Sequence, residues 1–160
     1  MIKSLKTAAI GLLLAASPQV CAQSDEETGA LEVANAMVQA WNDLDVNRIA
    51  ELFAEDGVLH SVMIDPIQGR EMLRTHIGAV LNGATRLELT LKNVAVNGNV
   101  VFLERVDDFN IGDLHGAVPV VGVLVIKDGH VQEWREYYDR AQLLGQMGIR
   151  EIDSPALEKH

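Results

Sequence analysis

Cysteine is almost absent from this chain, and basic residues are few beside the acidic ones. Cys21 is the single cysteine, and 13 Lys and Arg stand against 23 Asp and Glu, giving a formal net charge of -10. A single cysteine excludes an intrachain disulfide and a cysteine-based metal site. The acidic excess argues against a nucleic-acid partner and against binding to anionic membranes, because few cations are available to neutralise phosphates.

Long apolar runs are also lacking beyond the N-terminus. A basic start and an apolar stretch over residues 7–16 precede Val20-Cys21-Ala22, whose small or slim residues suit a signal peptidase. The stretch is too short for a permanent membrane-spanning helix, and Val20 does not suit a lipid anchor at Cys21. The pattern predicts a cleaved signal peptide over residues 1–22 and a secreted or periplasmic protein, free of the membrane after cleavage. An uncleaved amphipathic N-terminus is the alternative. Cleavage would remove two lysines, no acids and the cysteine, moving the charge from -10 to -12.

The remaining sequence has the length of one domain and contains no internal repeat. We predict a flexible leader over residues 23–30, a single domain over residues 31–148 and a C-terminal tail over residues 149–160. The leader is predicted because residues 24–28 are acidic and polar.

The first half of the domain shows helical periodicity and the second half shows strand periodicity. Apolar residues at helical spacing predict helices over residues 29–42, 46–54 and 69–81. After Gly83, alternation and two hairpin signals, Asn97-Gly98 and Asp128-Gly129, are typical of antiparallel strands. The predicted strands lie around residues 87–91 and over residues 100–110, 117–127 and 131–139, and a short helix follows over residues 141–147. This order predicts an α+β fold, with N-terminal helices packed in a curved, mostly antiparallel sheet around one deep pocket.

Two strand segments carry the residues with the most chemistry. Arg105 and Asp107 are two residues apart on one predicted strand, so they share a face, as Trp134, Glu136 and Tyr138 do on another. If both faces line one cavity, a guanidinium meets two carboxyls, which it can hold through its fork of donors. The same spacing fits an ordinary cross-strand ion pair. The predicted pocket wall consists of Leu103, Phe109, Trp134 and Tyr138.

The order of elements resembles the cone-shaped, cystatin-like α+β fold of the nuclear transport factor two-like superfamily. Within it, the chain resembles the limonene-1,2-epoxide hydrolase family from about Leu31 to Asp139. The more specific elements are Arg105-Val106-Asp107 and Trp134-Arg135-Glu136-Tyr137-Tyr138-Asp139. The more generic segments are Phe53-Ala54-Glu55-Asp56, Gly69-Arg70-Glu71, Gly122-Val123 and Asp128-Gly129.

The resemblance implies a hydrolase that adds water to a small apolar epoxide without a metal or an organic cofactor. It implies Asp107 as the acid that protonates the epoxide oxygen, Glu136 as the base that takes a proton from water, and Arg105 as their bridge. The residues themselves show no metal-ligand spacing, because the five histidines are scattered. They are His60, His76, His115, His130 and His160.

The water-holding side of the predicted site departs from the family pattern. The family's tyrosine and asparagine fall on Leu59 and Ser61, and Glu136 replaces an aspartate, which displaces the carboxylate by roughly an ångström. His60 would become a candidate base if the strand register shifted by one residue. Two alternatives to an epoxide hydrolase therefore stay open. One is a polyketide cyclase-like or isomerase-like acid/base enzyme, and the other is a non-enzymatic protein that binds a small apolar ligand.

A dense valine run covers residues 118–126. Such density predicts burial on both sides of the strand. In this superfamily it suggests a sheet face used for homodimerisation, although a strand beneath the helices explains the run equally well.

Overall fold

Four helices and a six-stranded sheet make up residues 24–149, which are the residues described by the computed structural model. The predicted signal peptide lies outside the described residues. Between residues 24 and 149, no helix is both long and apolar enough to cross a membrane. The elements are α1 (Asp25–Asn42), α2 (Val46–Leu52), β1 (Phe53–Ser61), β2 (Ile67–Gln68), α3 (Arg70–Val80), β3 (Ala84–Asn97), β4 (Val100–Ile111), β5 (Leu114–Lys127), β6 (His130–Tyr138) and α4 (Arg140–Gln146).

The strands form one sheet in the order β2-β1-β6-β5-β4-β3. Strands β3 to β6 are an antiparallel meander, whereas β1 runs parallel to β6. Asp128 and Gly129 both have positive φ, as the tight turn between β5 and β6 requires. The predicted α+β fold with a curved, mostly antiparallel sheet is confirmed.

One face of the sheet, called the inner face below, packs against the helices and forms the core. Alternate residues of β4 point to this face, so Val101 and Leu103 are buried with Met37 of α1 and Leu124 of β5. The same alternation carries Arg105 and Asp107 to the inner face. The pleat of β4 therefore directs both polar side chains into the apolar interior.

The first helix begins at Asp25, so the predicted flexible leader over residues 23–30 is wrong for residues 25–30, which are helical. Ser24 Oγ accepts a hydrogen bond from the backbone N–H of Glu27, and Glu27 Oε2 accepts one from the N–H of Ser24. This reciprocal capping, together with acids in the first turn, stabilises the helix N-terminus. The acidic composition belongs to a cap rather than to a disordered segment.

The second helix ends at Leu52, two residues before its predicted end, and Phe53 begins strand β1. The parallel pairing of β1 with β6 was not predicted, because β1 lacks regular alternation. Its register shifts between Phe53 and Val58. At Gly57 a Cβ would lie 3.0 Å from the carbonyl oxygens of Ala54 and Val131, so the backbone there tolerates no side chain without a shift.

The valine run of β5 is buried along its inner side, whereas on its outer side Val123 is buried but other positions are exposed, so the prediction of burial on both sides holds for only part of the run. Val118 and Val120 are buried on the inner face, whereas Val121 on the outer face is 40% exposed. Phe102 and Tyr137 on the neighbouring strands are also exposed on this outer face.

Candidate active site

A buried guanidinium joins the two predicted acids. Arg105 Nε donates to Asp107 Oδ1 at 2.7 Å and Nη2 donates to Asp107 Oδ2 at 3.1 Å. Nη2 also donates to Glu136 Oε2 at 2.7 Å. Arg105 comes from β4 and Glu136 from β6, so the guanidinium spans strand β5. The structure thus brings the three predicted residues together as an acid–guanidinium–acid group.

Burial differs across this group. Arg105 is 3% exposed and Glu136 is 8% exposed, whereas the side chain of Asp107 is 21% exposed. The guanidinium also lies 5.4 Å from the ring centroid of the buried Trp134, within the range of a cation–π interaction. Asp107 is therefore the acid with more access to a bound molecule.

Burial shifts the titration of both carboxyls in the same direction. It raises the pKa of Glu136 from 4.5 to about 7, although the positive charge and hydrogen bond of Arg105 oppose this, and Asp107 adds a smaller upward effect. Burial also raises the pKa of Asp107 against the influence of Arg105. Two coupled carboxyls of this kind can hold one proton between them near neutral pH, which an acid/base pair requires.

We expect the stability of the protein to fall between about pH 4.5 and pH 7 because of Glu136. Its pKa is raised from 4.5 to about 7 on folding, so its stabilising contribution is complete below pH 4.5 and is lost as the pH rises through 7. The shift corresponds to about 3 kcal/mol. In Glu136→Gln the free energy of unfolding, measured with urea at several pH values, should fall less over this range. Equal slopes for the variant and the wild type would contradict this assignment.

The acids open into an apolar cavity of about 340 Å³. Trp134, Tyr138 and Phe109 line it as predicted, but Leu103 does not, so its assignment to the pocket wall is wrong. Leu103 points to the inner face but is fully buried against the helices rather than beside the cavity. The wall is mostly aliphatic and aromatic, including Trp41, Leu59, Leu87, Leu89, Ile111, Val118, Val120, Leu143, Leu144 and Met147.

Two parts of this wall were not predicted from the sequence. His76 of α3 lines the cavity, and burial lowers its pKa. The helical spacing could have predicted this position. His76 follows the buried Leu73 by three residues and precedes the lining residue Val80 by four, so all three lie on one side of the helix. Helix α4 is the other part. Its Gln142 Nε2 donates to Ala117 O at 3.1 Å, which holds the helix beside the cavity.

The predicted water-holding residues occupy β1, next to the base. Leu59 pairs with Trp134 and Ser61 pairs with Glu136, and both line the cavity. His60 pairs with Arg135, so it lies between two lining residues and faces the opposite side of the strand. The β1–β6 register does not shift between Val58 and Ser61, so the hypothesis that His60 replaces the base is wrong.

Comparison with known proteins agrees with this geometry. Residues 28–149 match the model of the limonene-1,2-epoxide hydrolase catalytic domain. Epoxide hydrolase EphG of Mycobacterium tuberculosis (strain ATCC 25618 / H37Rv) is 27% identical over 104 residues, which cover 65% of this chain and 69% of EphG.

Solved structures share the architecture. A LEH-like epoxide hydrolase of M. tuberculosis is 26% identical with a TM-score of 0.67, covering 76% of this chain and 90% of that one. A candidate SnoaL-like polyketide cyclase from Jannaschia sp. CCS1 is 22% identical with a TM-score of 0.69, covering 84% and 98%, which shows a common fold. With its family match over residues 28–149, the chain belongs to the limonene-1,2-epoxide hydrolase catalytic domain family and is an epoxide hydrolase-like enzyme.

Proposed function

We propose that this protein adds water to a small apolar epoxide and releases a diol. The observation that supports the proposal most is the pair of carboxyls held by one buried guanidinium in the wall of an apolar cavity. Asp107 gives its proton to the epoxide oxygen as the carbon–oxygen bond breaks, and Glu136 takes a proton from the attacking water. Opening an unactivated epoxide benefits from both transfers acting together.

The proposed roles set a condition on the proton that the two acids share. Burial raises the pKa of Glu136 to about 7, so the reactive state is the one in which this proton lies on Asp107 and not on Glu136. Both acids line the cavity. Asp107 is the more accessible of the two and must be protonated, whereas Glu136 must be ionised. Each turnover leaves Glu136 protonated and Asp107 ionised, so one proton must return from Glu136 to Asp107. Arg105 contacts both carboxylates and stabilises the single negative charge in either position.

The proposal is tested by incubating the protein with a panel of terpene and aromatic epoxides in water enriched in ¹⁸O. We expect a diol with one ¹⁸O atom, because the other oxygen comes from the epoxide. Absence of any diol over the panel would contradict the proposal.

A cyclase-like or isomerase-like reaction is the second candidate function. It is favoured by the fold shared with the SnoaL-like protein and by Leu59, whose side chain cannot hold water. Such a reaction would leave product oxygens unlabelled.

Restoring the water-holding groups should raise the rate of diol formation. In the double variant Leu59→Tyr with Ser61→Asn, a phenol and an amide would face the cavity beside Glu136. A better-oriented water should increase the rate by about tenfold, equivalent to about 1.4 kcal/mol in the barrier. Diol rates of both single variants and the double variant are compared. If the longer Glu136 instead occupies the space of the missing ring, Leu59→Tyr lowers the rate and Ser61→Asn alone is harmless.

We also propose that the protein is exported and that the mature chain begins at Gln23. The support is the basic and apolar N-terminal pattern with Ala22 before the cleavage point. Intact-mass measurement of the exported protein should show the loss of residues 1–22. A full-length mass retained in the cytoplasm would contradict this.

A second copy of the chain is the proposed partner for the outer face of the sheet. Phe102, Val121 and Tyr137 are 40–45% exposed on three adjacent strands, which makes an apolar surface that two copies could share. Val121→Asp should then shift the protein from dimer to monomer in light scattering. Met72→Asp, on an exposed helical position away from this face, is the matched control.

A further inference from the structure

Gly122 lies between the two strands that carry the acids. It pairs with Leu103 of β4 on one side and with Glu136 of β6 on the other. We propose that Gly122 is a positioning residue, because only a residue without a side chain lets the guanidinium of Arg105 cross strand β5 and reach Glu136. Its catalytic consequence rests on the proposed function, whereas its structural part does not.

The span that Arg105 must bridge is long. Arg105 pairs with Val120, two residues along β5 from Gly122, and Glu136 pairs with Gly122 on the far side. The Cα atoms of Arg105 and Glu136 are two strands apart across the sheet and are offset by two residues along the strand direction. These two displacements together separate them by roughly 12 Å. Their side chains nevertheless meet at 2.7 Å. Both must therefore extend over the backbone of β5 at Gly122.

A side chain at Gly122 would occupy the path of this contact. A Cβ built there lies 2.5 Å from Arg105 Nη1, 2.8 Å from Trp134 Nε1 and 3.1 Å from Glu136 Oε1. These three atoms are buried, and none has a hydrogen-bond partner within residues 24–149. The polar atoms thus crowd directly over the glycine, and at least Arg105 and Trp134 would have to move.

Arg105 has little room to retreat while keeping both acids. It lies beside the ring of Trp134, and its Nε and Nη2 are already bonded to carboxylates. Asp107 is on the same strand as Arg105, so that ion pair can follow a displaced guanidinium. Glu136 lies beyond Gly122, so a methyl group there selectively breaks the contact with the base.

Loss of this contact has a defined chemical result. Without the neighbouring positive charge, the upward effects of burial and of Asp107 on Glu136 are unopposed, and its pKa rises further. Fewer molecules then carry an ionised base at neutral pH. A merely structural role for Gly122 would lower stability without moving this titration.

The test compares Gly122→Ala with Gly116→Ala. Gly116 is on the same strand and the same face, and a Cβ there lies 2.3 Å and 2.7 Å from ring atoms of Phe109 and 2.9 Å from Gln146 Oε1. It is equally crowded, but it touches neither acid nor Arg105. The side-chain carboxyl of Glu136 is titrated by ¹³C NMR, with Glu136→Gln used to assign its signal.

We expect Gly122→Ala to raise the pKa of Glu136 by about one unit or more, and Gly116→Ala to leave it unchanged. The acid limb of the pH–rate profile for diol formation should move by the same amount. An unchanged Glu136 titration in folded Gly122→Ala overturns the proposal. Diol formation with an unchanged titration would leave the hydrolase function standing and remove only this inference. A shifted Glu136 titration without any diol formation would support this inference and contradict the hydrolase function.

A double-mutant cycle keeps the proposal testable if Gly122→Ala does not fold. Arg105→Lys removes the Nη1 atom that lies closest to the added methyl group. Gly122→Ala should therefore lower the urea midpoint much less in the Arg105→Lys background than in the wild type, or restore a folded protein there. Equal losses in both backgrounds would overturn the proposal.

Discussion

Asp107→Asn and Glu136→Gln should each abolish most diol formation while leaving the fold in place. Each change keeps the shape of the side chain but removes its proton-transfer role. Loss of a general acid or base costs a factor of about 10² to 10⁴ in rate. Because the acid and the base act in the same step, the two losses should not multiply in the double variant.

Two matched variants test whether the loss of any carboxyl on these strands lowers activity, or only the loss of one at the site. Asp108→Asn changes the next residue of β4, which pairs with Arg86 and His115 away from the cavity. Glu133→Gln changes the same strand as Glu136 at a residue paired with Arg135. Both should keep nearly full activity, and circular dichroism should confirm the fold of all four variants. Unchanged turnover in either Asp107→Asn or Glu136→Gln would place the chemistry elsewhere.

Arg105→Ala should destabilise the protein more than any other single removal of a charge within the described residues. It leaves two acids without their common cation, one of them 8% exposed. Breaking a buried ion pair by removing one partner costs about 3–5 kcal/mol. The loss should be larger at pH 8 than at pH 5, because protonation at low pH neutralises the stranded carboxyls, whose pKa values burial raises.

Urea unfolding at both pH values measures this effect. Arg86→Ala is the matched control, since Arg86 also pairs with two acids, Glu88 and Asp108, but lies at the surface. Exposed pairs contribute about 0–1 kcal/mol each. A loss for Arg105→Ala no greater than that for Arg86→Ala, or one that is independent of pH, would show that the buried group is not the stabilising feature described above.

Helix boundaries show where local sequence information ends. The apolar spacing of α1 was visible in the sequence, but its first turn was misassigned as a leader, because the reciprocal bonds between Ser24 and Glu27 form only in the helix. Strand β1 was missed for a related reason. Its pairing with β6 is parallel and distant in sequence, and its irregular burial conceals the alternation on which strand prediction depends.

The sequence by itself determined which side chains share a face. Residues two apart on a strand point the same way whatever the rest of the chain does, so Arg105 accompanies Asp107, and Glu136 accompanies Trp134. The tertiary structure alone decided which faces meet and how deeply. The register of β4, β5 and β6 places Gly122 beneath the guanidinium and buries Leu103 away from the cavity. It also brings His76 and α4 to the cavity wall. The physical reason is that side-chain alternation follows from backbone geometry within a strand, whereas register and burial depend on packing between segments far apart in the chain.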